Sequence, residues 1–282
     1  MEDTNKLAYE DRTKIPQYLN KGLISCEKEI FSKYLFPDDV TLDVGCFVGR
    51  VAFSISRMVK TVVGIDISEA GIETAIKLKE ESNIQNCDFL VASAQEIPFK
   101  NCFFDKVLMP YNVIEDINPA SMRIKALSEI HKKLKENGLI IFSIHNRYYS
   151  RWYFKLIAIN FIRHLSKINY SFFLGFFSHF KNKEAVEVLL NGESNSIPWR
   201  EPNSTRYLVH YFYNLSEIKN QLSDMGFKIV STIPIENQYP HTSEGRSANV
   251  IRRKFLYFMI PEYYIIASKA CEVNKIECDC NV

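Results

Sequence analysis

The sequence predicts an α/β fold: a mostly parallel sheet covered by helices on both faces. Three observations predict it. Short β-branched apolar runs alternate with stretches of helical period between residues 40 and 145. The first two runs each end in an acid, Asp43 and Asp66. Two glycines, Gly45 and Gly49, stand between the first run and the first helical stretch. Alternation of this kind needs crossover helices, and those bury a parallel sheet from both sides.

Residues 1–39 read as a polar lead-in and a helix from Ser25 to Tyr34, closed by Phe36-Pro37-Asp38-Asp39. Val40–Asp43 is the first strand. Gly49 to Met58 is a helix with Val51, Ala52, Ile55 and Met58 on one face. Thr61–Ile67 is the second strand. Ser68 can cap a helix from Glu69 to Glu81, in which Ile72, Ala75, Ile76 and Lys79 follow the helical period. Asp88–Ala92 and Asp105–Met109 are the third and fourth strands. Pro119 opens a long helix to Lys135, with Ile124, Leu127, Ile130, His131 and Leu134 inward. Glu136-Asn137-Gly138 is expected to end it in a left-handed cap before a fifth strand, Leu139–Ile144.

The alternation then stops. Residues 146–205 carry no clean strand pattern. Arg151 to Phe180 reads as two helices rich in aromatic and basic residues, and Asn191 to Thr205 as loop. Tyr207–Tyr213 is strand-like, and Ser216 to Met225 is a helix stopped by Gly226. Lys228–Ile233 and Tyr263–Ser268 read as a closing antiparallel pair. With the first five, they make a seven-stranded sheet.

Bulk composition sets limits. The chain has 282 residues, 46% of them hydrophobic, enough for one domain with an elaboration or two small domains. A net charge of +2 does not by itself call for a nucleic-acid partner. The start, Met-Glu-Asp-Thr-Asn, is unlike a signal peptide. Seven scattered cysteines suit reduced thiols, so a cytoplasmic location is expected. Cys271, Cys278 and Cys280 crowd the C-terminal tail without a second ligand cluster, and no metal centre is expected.

Val40-Thr41-Leu42-Asp43-Val44-Gly45-Cys46-Phe47-Val48-Gly49 is a strand, a tight turn and a helix start. Such a turn lets a ligand approach the backbone closely. Asp66, at the tip of the second strand, is placed to accept hydrogen bonds from ribose hydroxyls. Together these point to a nucleoside cofactor. No Gly-x-Gly-x-x-Gly fingerprint is present, which argues against a nicotinamide enzyme. Phe47 stands at the middle of the turn, where it is expected to hold φ negative or carry strain.

The chain resembles the class I S-adenosylmethionine-dependent methyltransferases of the small-molecule type. Leu42 to Gly49 resembles their first motif, and Gly64-Ile65-Asp66-Ile67-Ser68 their ribose-binding strand end. Ala92 to Phe99 resembles the adenine-edge segment. Phe104 to Leu108 with Asn112 to Ile117, and Leu134 to Gly138, resemble the fourth strand with its loop and the turn into the fifth strand. The resemblance covers 38–145 well and 206–268 more loosely. It implies a Rossmann-like sheet and S-adenosylmethionine as cofactor. It implies cofactor contacts from Asp43, Gly45, Cys46, Phe47, Gly49, Asp66, Ile67, Ser93, Ala94, Pro110 and Tyr111. The chain then divides into a lead-in or lid (1–39), a cofactor-binding core (40–145), an aromatic helical cap (146–205), the rest of the core sheet (206–269) and a tail (270–282).

The expected activity is methyl transfer to an O, N or C nucleophile of a small organic acceptor. Orientation supplies much of the acceleration in such a displacement, so a general base is not obligatory. His145, closing the fifth strand at the ligand-binding edge, is the candidate base; a structural histidine is the competing reading. Asn112, His145, Tyr149, Trp152 and His210 are candidate acceptor contacts. For His210 a buried, satisfied side chain is the default. Glu115 and Asp116 form an acidic pair for which solvated loop acids are the default. Tyr9, Arg12 and Tyr18 are candidates for an N-terminal lid over the cofactor.

Residues 147–187 carry a local charge of +5 among many aromatics. A cap packing on the substrate is favoured there over a membrane-surface contact or an RNA-facing surface. Ile197-Pro198-Trp199-Arg200 with Arg206-Tyr207 faintly resembles tRNA wobble-uridine methyltransferases. A third alternative is a non-catalytic partner subunit that keeps the fold.

Overall fold

The structure is a computed structural model that describes residues 4–19, 21–169, 186, 189–190, 193–199, 208–235 and 262–270. Its elements run in the following order: α1 (Thr4–Tyr9), α2 (Ile15–Leu19), α3 (Ser25–Tyr34), β1 (Val40–Val44), α4 (Arg50–Ile55), β2 (Thr61–Asp66), α5 (Glu69–Ser82), β3 (Cys87–Val91) and β4 (Phe104–Met109). Then come α6 (Val113–Asp116), α7 (Ala120–Lys133), β5 (Leu134–His145), α8 (Ser150–Ile168), β6 (Ser196–Trp199), β7 (Leu208–Tyr211), α9 (Leu215–Asp224), β8 (Phe227–Ile235) and β9 (Glu262–Lys269).

The main sheet has seven strands in the order β3-β2-β1-β4-β5-β9-β8. The first five are parallel, and β9 and β8 close the sheet antiparallel. Period-two alternation divides its side chains between two cores. Leu42, Val63, Val107 and Ile140 meet Leu127 and Ile130 of α7 and Ile218 and Leu222 of α9. Val62, Leu108, Ile141 and Ile266 meet Phe31 of α3, Ile55 of α4 and Ile72 of α5. The strands are thus apolar on both faces, as a parallel sheet under two helical layers requires.

Local signals set the helix ends. The Ser68 hydroxyl accepts the Gly71 N–H at 3.0 Å and caps α5. Asn214 and Glu217 form a reciprocal capping box at α9, and Gly226, at φ 85°, follows its end.

Several expectations are corrected. The helix after the glycine turn stops at Ile55, short of Met58. Ile124 is 46% exposed, because buried Arg123 takes the inner position of α7 and stacks on Tyr211 with its carbon Cζ 3.9 Å from the ring centroid. The left-handed residue before the fifth strand is Asn137, at φ 61°, and it lies inside β5. The insert is not strandless: β6 lies within it and pairs antiparallel with β7. This also corrects the placing of Tyr207–Tyr213 in the core sheet. The position beside β5 is taken by β9, so β7 leaves the sheet and forms a two-stranded ribbon with β6. Of the two helices expected over Arg151 to Phe180, α8 is described, and 170–185 lie outside the described residues, as does the cysteine-bearing tail. Among the described residues no helix is long and apolar enough to cross a membrane.

Candidate active site

The carboxyl ends of β1, β2, β4 and β5 open into one cavity of about 500 Å³. Crevices at this edge are the usual ligand sites of open α/β sheets. The turn after β1 forms its floor. Gly45 and Gly49 hold φ of 75° and 82°, and a Cβ on Gly45 would stand 2.6 Å from the Val113 side chain. Glycine is therefore required by both conformation and space. Phe47 also holds a positive φ, 48°, the second of the two expected alternatives. Its neighbours fix it there. Its N–H donates to Asp66 Oδ2 at 2.8 Å, its ring rests on the bare face of Gly71, and Tyr18 meets it edge-on at 5.3 Å. The ring lies along the wall, and the cavity continues beside it.

Asp43 is buried and accepts the Ala52 N–H at 3.1 Å, tying β1 to α4. Burial raises its pKa to about 7, against the pull of Arg50. Asp66 accepts the Phe47 N–H on one oxygen and the Ser68 N–H on the other, both at 2.8 Å. Burial raises its pKa to about 6, and those two bonds limit the rise.

The N-terminal segment forms one side of the cavity. Tyr9 and Tyr18 line it, whereas Arg12 is exposed and pairs with Glu73 at 2.7 Å. Asn5 fastens this segment to β7: it donates to the Val209 carbonyl at 3.0 Å and accepts the Val209 N–H at 2.7 Å. The Tyr9 hydroxyl donates to Asp116 Oδ2 at 2.6 Å.

At the far end two histidines and three acids converge. Glu115, fully buried on α6, places Oε2 2.6 Å from His145 Nδ1 and 2.9 Å from His210 Nε2. Those two nitrogens are 2.9 Å apart. Asp116 Oδ1 lies 2.6 Å from His210 Nδ1, and Glu262 Oε1 lies 3.3 Å from His145 Nε2. Burial opposes ionisation of Glu115, yet His145 and His210 outweigh it and hold the carboxyl below its ordinary range. Burial likewise opposes charge on His210, but Asp116 and then Glu115 raise it.

Of the residues the sequence reading names for the cofactor, all but Gly49 line the cavity. Gly49 instead starts α4, with Phe53 and Phe89 packed where a Cβ would go. Asn112, His145 and His210 line the acceptor end. Tyr149 does not line it, and packs with Leu156, Ile159, Ile197 and Phe212. The Trp152 side chain lies outside the described residues. The default of solvated acids is corrected: Glu115 is fully buried, and Asp116 is held by Tyr9 and His210. Arg50, Asn5 and Glu262 were not foreseen. Glu262 lies one residue before the predicted last strand and pairs across from His145, so extending that strand by one residue would have exposed it.

Residues 41–138 match the family described as a methyltransferase domain. A ubiquinone biosynthesis O-methyltransferase of Pelagibacter ubique is 31% identical over 146 residues, 52% of this chain and 58% of that enzyme. An uncharacterized protein of Methanocaldococcus jannaschii is 28% identical over 216 residues, 76% of this chain and 72% of that protein. A SAM-dependent methyltransferase structure from Methanosarcina mazei has a TM-score of 0.61 at 21% identity, over 89% of this chain and 100% of that one. Residues 41–138 are thus similar in sequence to a methyltransferase domain, and the fold is that of S-adenosylmethionine-dependent methyltransferase structures.

The solved structures that share this fold are described as S-adenosylmethionine-dependent, so S-adenosylmethionine is the cofactor implied. The residues present suit it. A carboxylate offers about four acceptor positions, so Asp66 keeps capacity for ribose after its two backbone bonds. Gly45 lines the cavity with backbone alone, its bare face packed against Val113, and the lining also combines Ile67 and Ala94 with the polar Ser93 and Gln95.

Proposed function

We propose that this methyltransferase acts on a small organic, largely hydrophobic acceptor. The observation that carries the reading is the continuity of one cavity from Asp66 and the glycine turn to His145 and His210. Its ribose end would be held by Asp66, its adenine by Ile67 with Ser93 and Ala94, and its amino-acid end by the Gly45–Phe47 turn near Asp43. Bound there, the cofactor supplies a methyl group on a sulfonium centre, open to in-line attack.

The chain's own residues have three tasks. Pro110, Tyr111 and Asn112 form the passage between the two ends of the cavity. Tyr9 and Tyr18 line it from the N-terminal side. Leu208 and Phe212 add apolar wall beside the polar cluster at the acceptor end, while Asn112 and His145 offer polar atoms that orient a nucleophile. A cavity of about 500 Å³ at the sheet edge suits a small acceptor better than an RNA. The quinone-biosynthesis O- and C-methyltransferases among the relatives support the same reading. Exposed Phe154, Ile157 and Phe161 on α8 give the molecule an apolar outer stripe, which suits an acceptor drawn from a hydrophobic phase.

The test is calorimetric cofactor binding followed by turnover of the full chain on phenols, amines, isoprenoid quinone precursors and tRNA. Saturable cofactor binding with methyl transfer to one of the small acceptors is expected. Transfer confined to tRNA rejects the small-acceptor reading. Absence of cofactor binding at millimolar concentration rejects the enzyme.

A further inference from the structure

We propose that Glu115, His145 and His210 form a binding site for a divalent transition-metal ion at the acceptor end of the cavity. The proposal concerns ion binding and holds whichever acceptor is methylated.

Glu115 Oε2, His145 Nδ1 and His210 Nε2 form a triangle with edges of 2.6, 2.9 and 2.9 Å. Adjacent ligands of an octahedral ion at about 2.1 Å stand about 3.0 Å apart, so the three donors already occupy one face of such a shell. They come from distant parts of the chain: α6, the end of β5, and β7 of the separate ribbon. Chain-order spacing therefore could not reveal them.

Glu115 Oε1 accepts the backbone N–H groups of His145 at 3.0 Å and Tyr213 at 3.4 Å, as an ionised carboxylate does. If both facing ring nitrogens carry hydrogen, two donors meet at 2.9 Å. If only one does, the other points its lone pair at the Glu115 carboxylate. With Glu115 ionised, no placement of protons makes all three contacts favourable. A cation seated above this triangle, as the centre of an octahedral shell stands above each of its faces, makes all three favourable.

The outer partners agree independently. Asp116 Oδ1, at 2.6 Å, keeps hydrogen on His210 Nδ1 and turns the Nε2 lone pair inward. Behind His145, Glu262 Oε1 lies 3.3 Å from Nε2, and the Asn112 side-chain amide nitrogen meets the same ring nitrogen at 3.3 Å. A carboxylate behind each ligating imidazole is the usual second layer of a metal site. Tyr9 in turn fixes the remaining Asp116 oxygen. Three acids around two imidazoles leave a deficit of positive charge that a divalent ion offsets. Two nitrogens and one oxygen favour a transition ion over calcium or magnesium, which prefer oxygen ligands.

The test uses the chelator-stripped full-length chain titrated with Co²⁺, with Mg²⁺ as comparison. One equivalent of Co²⁺ is expected to bind, to raise Tm, and to give d–d absorption without a thiolate charge-transfer band. His145→Gln should lose this binding, and Asp116→Asn should weaken it about 10–100-fold, with circular dichroism reporting that each variant is folded. Three results overturn the proposal: no binding by the folded wild-type chain, a thiolate band that assigns the ion to cysteines, or undiminished affinity in folded His145→Gln. Should His145→Gln fail to fold, the wild-type stoichiometry and spectrum decide.

Discussion

The Phe47 backbone N–H donates to the Asp66 carboxylate at 2.8 Å, joining the turn after β1 to the tip of β2. One bond thus sets both the left-handed conformation of Phe47 and the orientation of the candidate ribose acceptor. The Phe47 ring is steered toward α5, where Gly71 leaves it room: a Cβ on Gly71 would lie 2.6 Å from the ring.

Gly71→Ala should therefore push Phe47 toward the cavity and weaken cofactor binding, with a cost of about 1–3 kcal/mol from overpacking. Phe47→Gly should restore binding in the Gly71→Ala background, because it removes the ring and suits the positive φ. Calorimetry on the two single variants and the double variant measures the coupling. Additive effects would separate Phe47 from Gly71.

Asp66 gives a pH dependence of known sign. Its pKa, raised to about 6 by burial, means that the carboxylate accepts ribose hydroxyls above that pH and loses acceptor capacity below it. Cofactor affinity should fall as pH drops from 7.5 to 5, by about tenfold for the last unit below the pKa. Asp66→Asn should bind weakly at all pH values with a flatter profile, and Asp66→Ala should lose about 1.5–3 kcal/mol at neutral pH. A wild-type slope preserved in the Asn variant would assign the titration to another group.

Much of this fold was legible because its local signals agree with its packing. The β-branched runs, the Ser68 cap and the Gly226 stop each name an element that the tertiary structure keeps. The turn from Asp43 to Gly49 was legible for the same reason, since its chemistry is contiguous in the chain. At the acceptor end Asn112, His145 and His210 were legible as single residues, but their cluster was not. Glu115 looks like a loop acid until β5 and β7 bring His145 and His210 beside it, and Glu262 arrives from the strand that runs antiparallel to β5. Tertiary placement alone turns these four residues into a cluster.

Asp43 gives a stability prediction with a definite sign. Its folded pKa, about 7, lies above the ordinary carboxyl value because of burial. Between about 4 and 7 the folded state binds a proton that the unfolded chain does not. The group's contribution to stability therefore declines as pH rises through that window and is least favourable above it. Asp43→Asn keeps an acceptor for the Ala52 N–H and removes the buried charge. Its Tm, relative to wild type, should be higher at pH 8 than at pH 5.5. Scanning calorimetry at the two values tests this, and an advantage that shrinks with rising pH contradicts it.

Arg50 and Glu27 form a buried pair with two contacts of 2.7 Å, and Tyr264 donates to Glu27 at 3.2 Å. Their side chains are 7% and 0% exposed. Two charges in such a place depend on each other. Arg50→Met strands the Glu27 carboxylate with only the Ile24 N–H at 3.0 Å and the Tyr264 hydroxyl, and should cost about 3–5 kcal/mol. Replacing both partners with apolar side chains, Arg50→Met with Glu27→Leu, should recover most of that loss, because neither charge is then left buried alone. Urea unfolding of the two single variants and the double variant gives the coupling energy. Arg50 also lines the cavity and stacks on Tyr111, with Cζ 4.9 Å from the ring centroid. The stable double variant should therefore remain impaired in cofactor affinity, which separates the residue's part in folding from its part at the site.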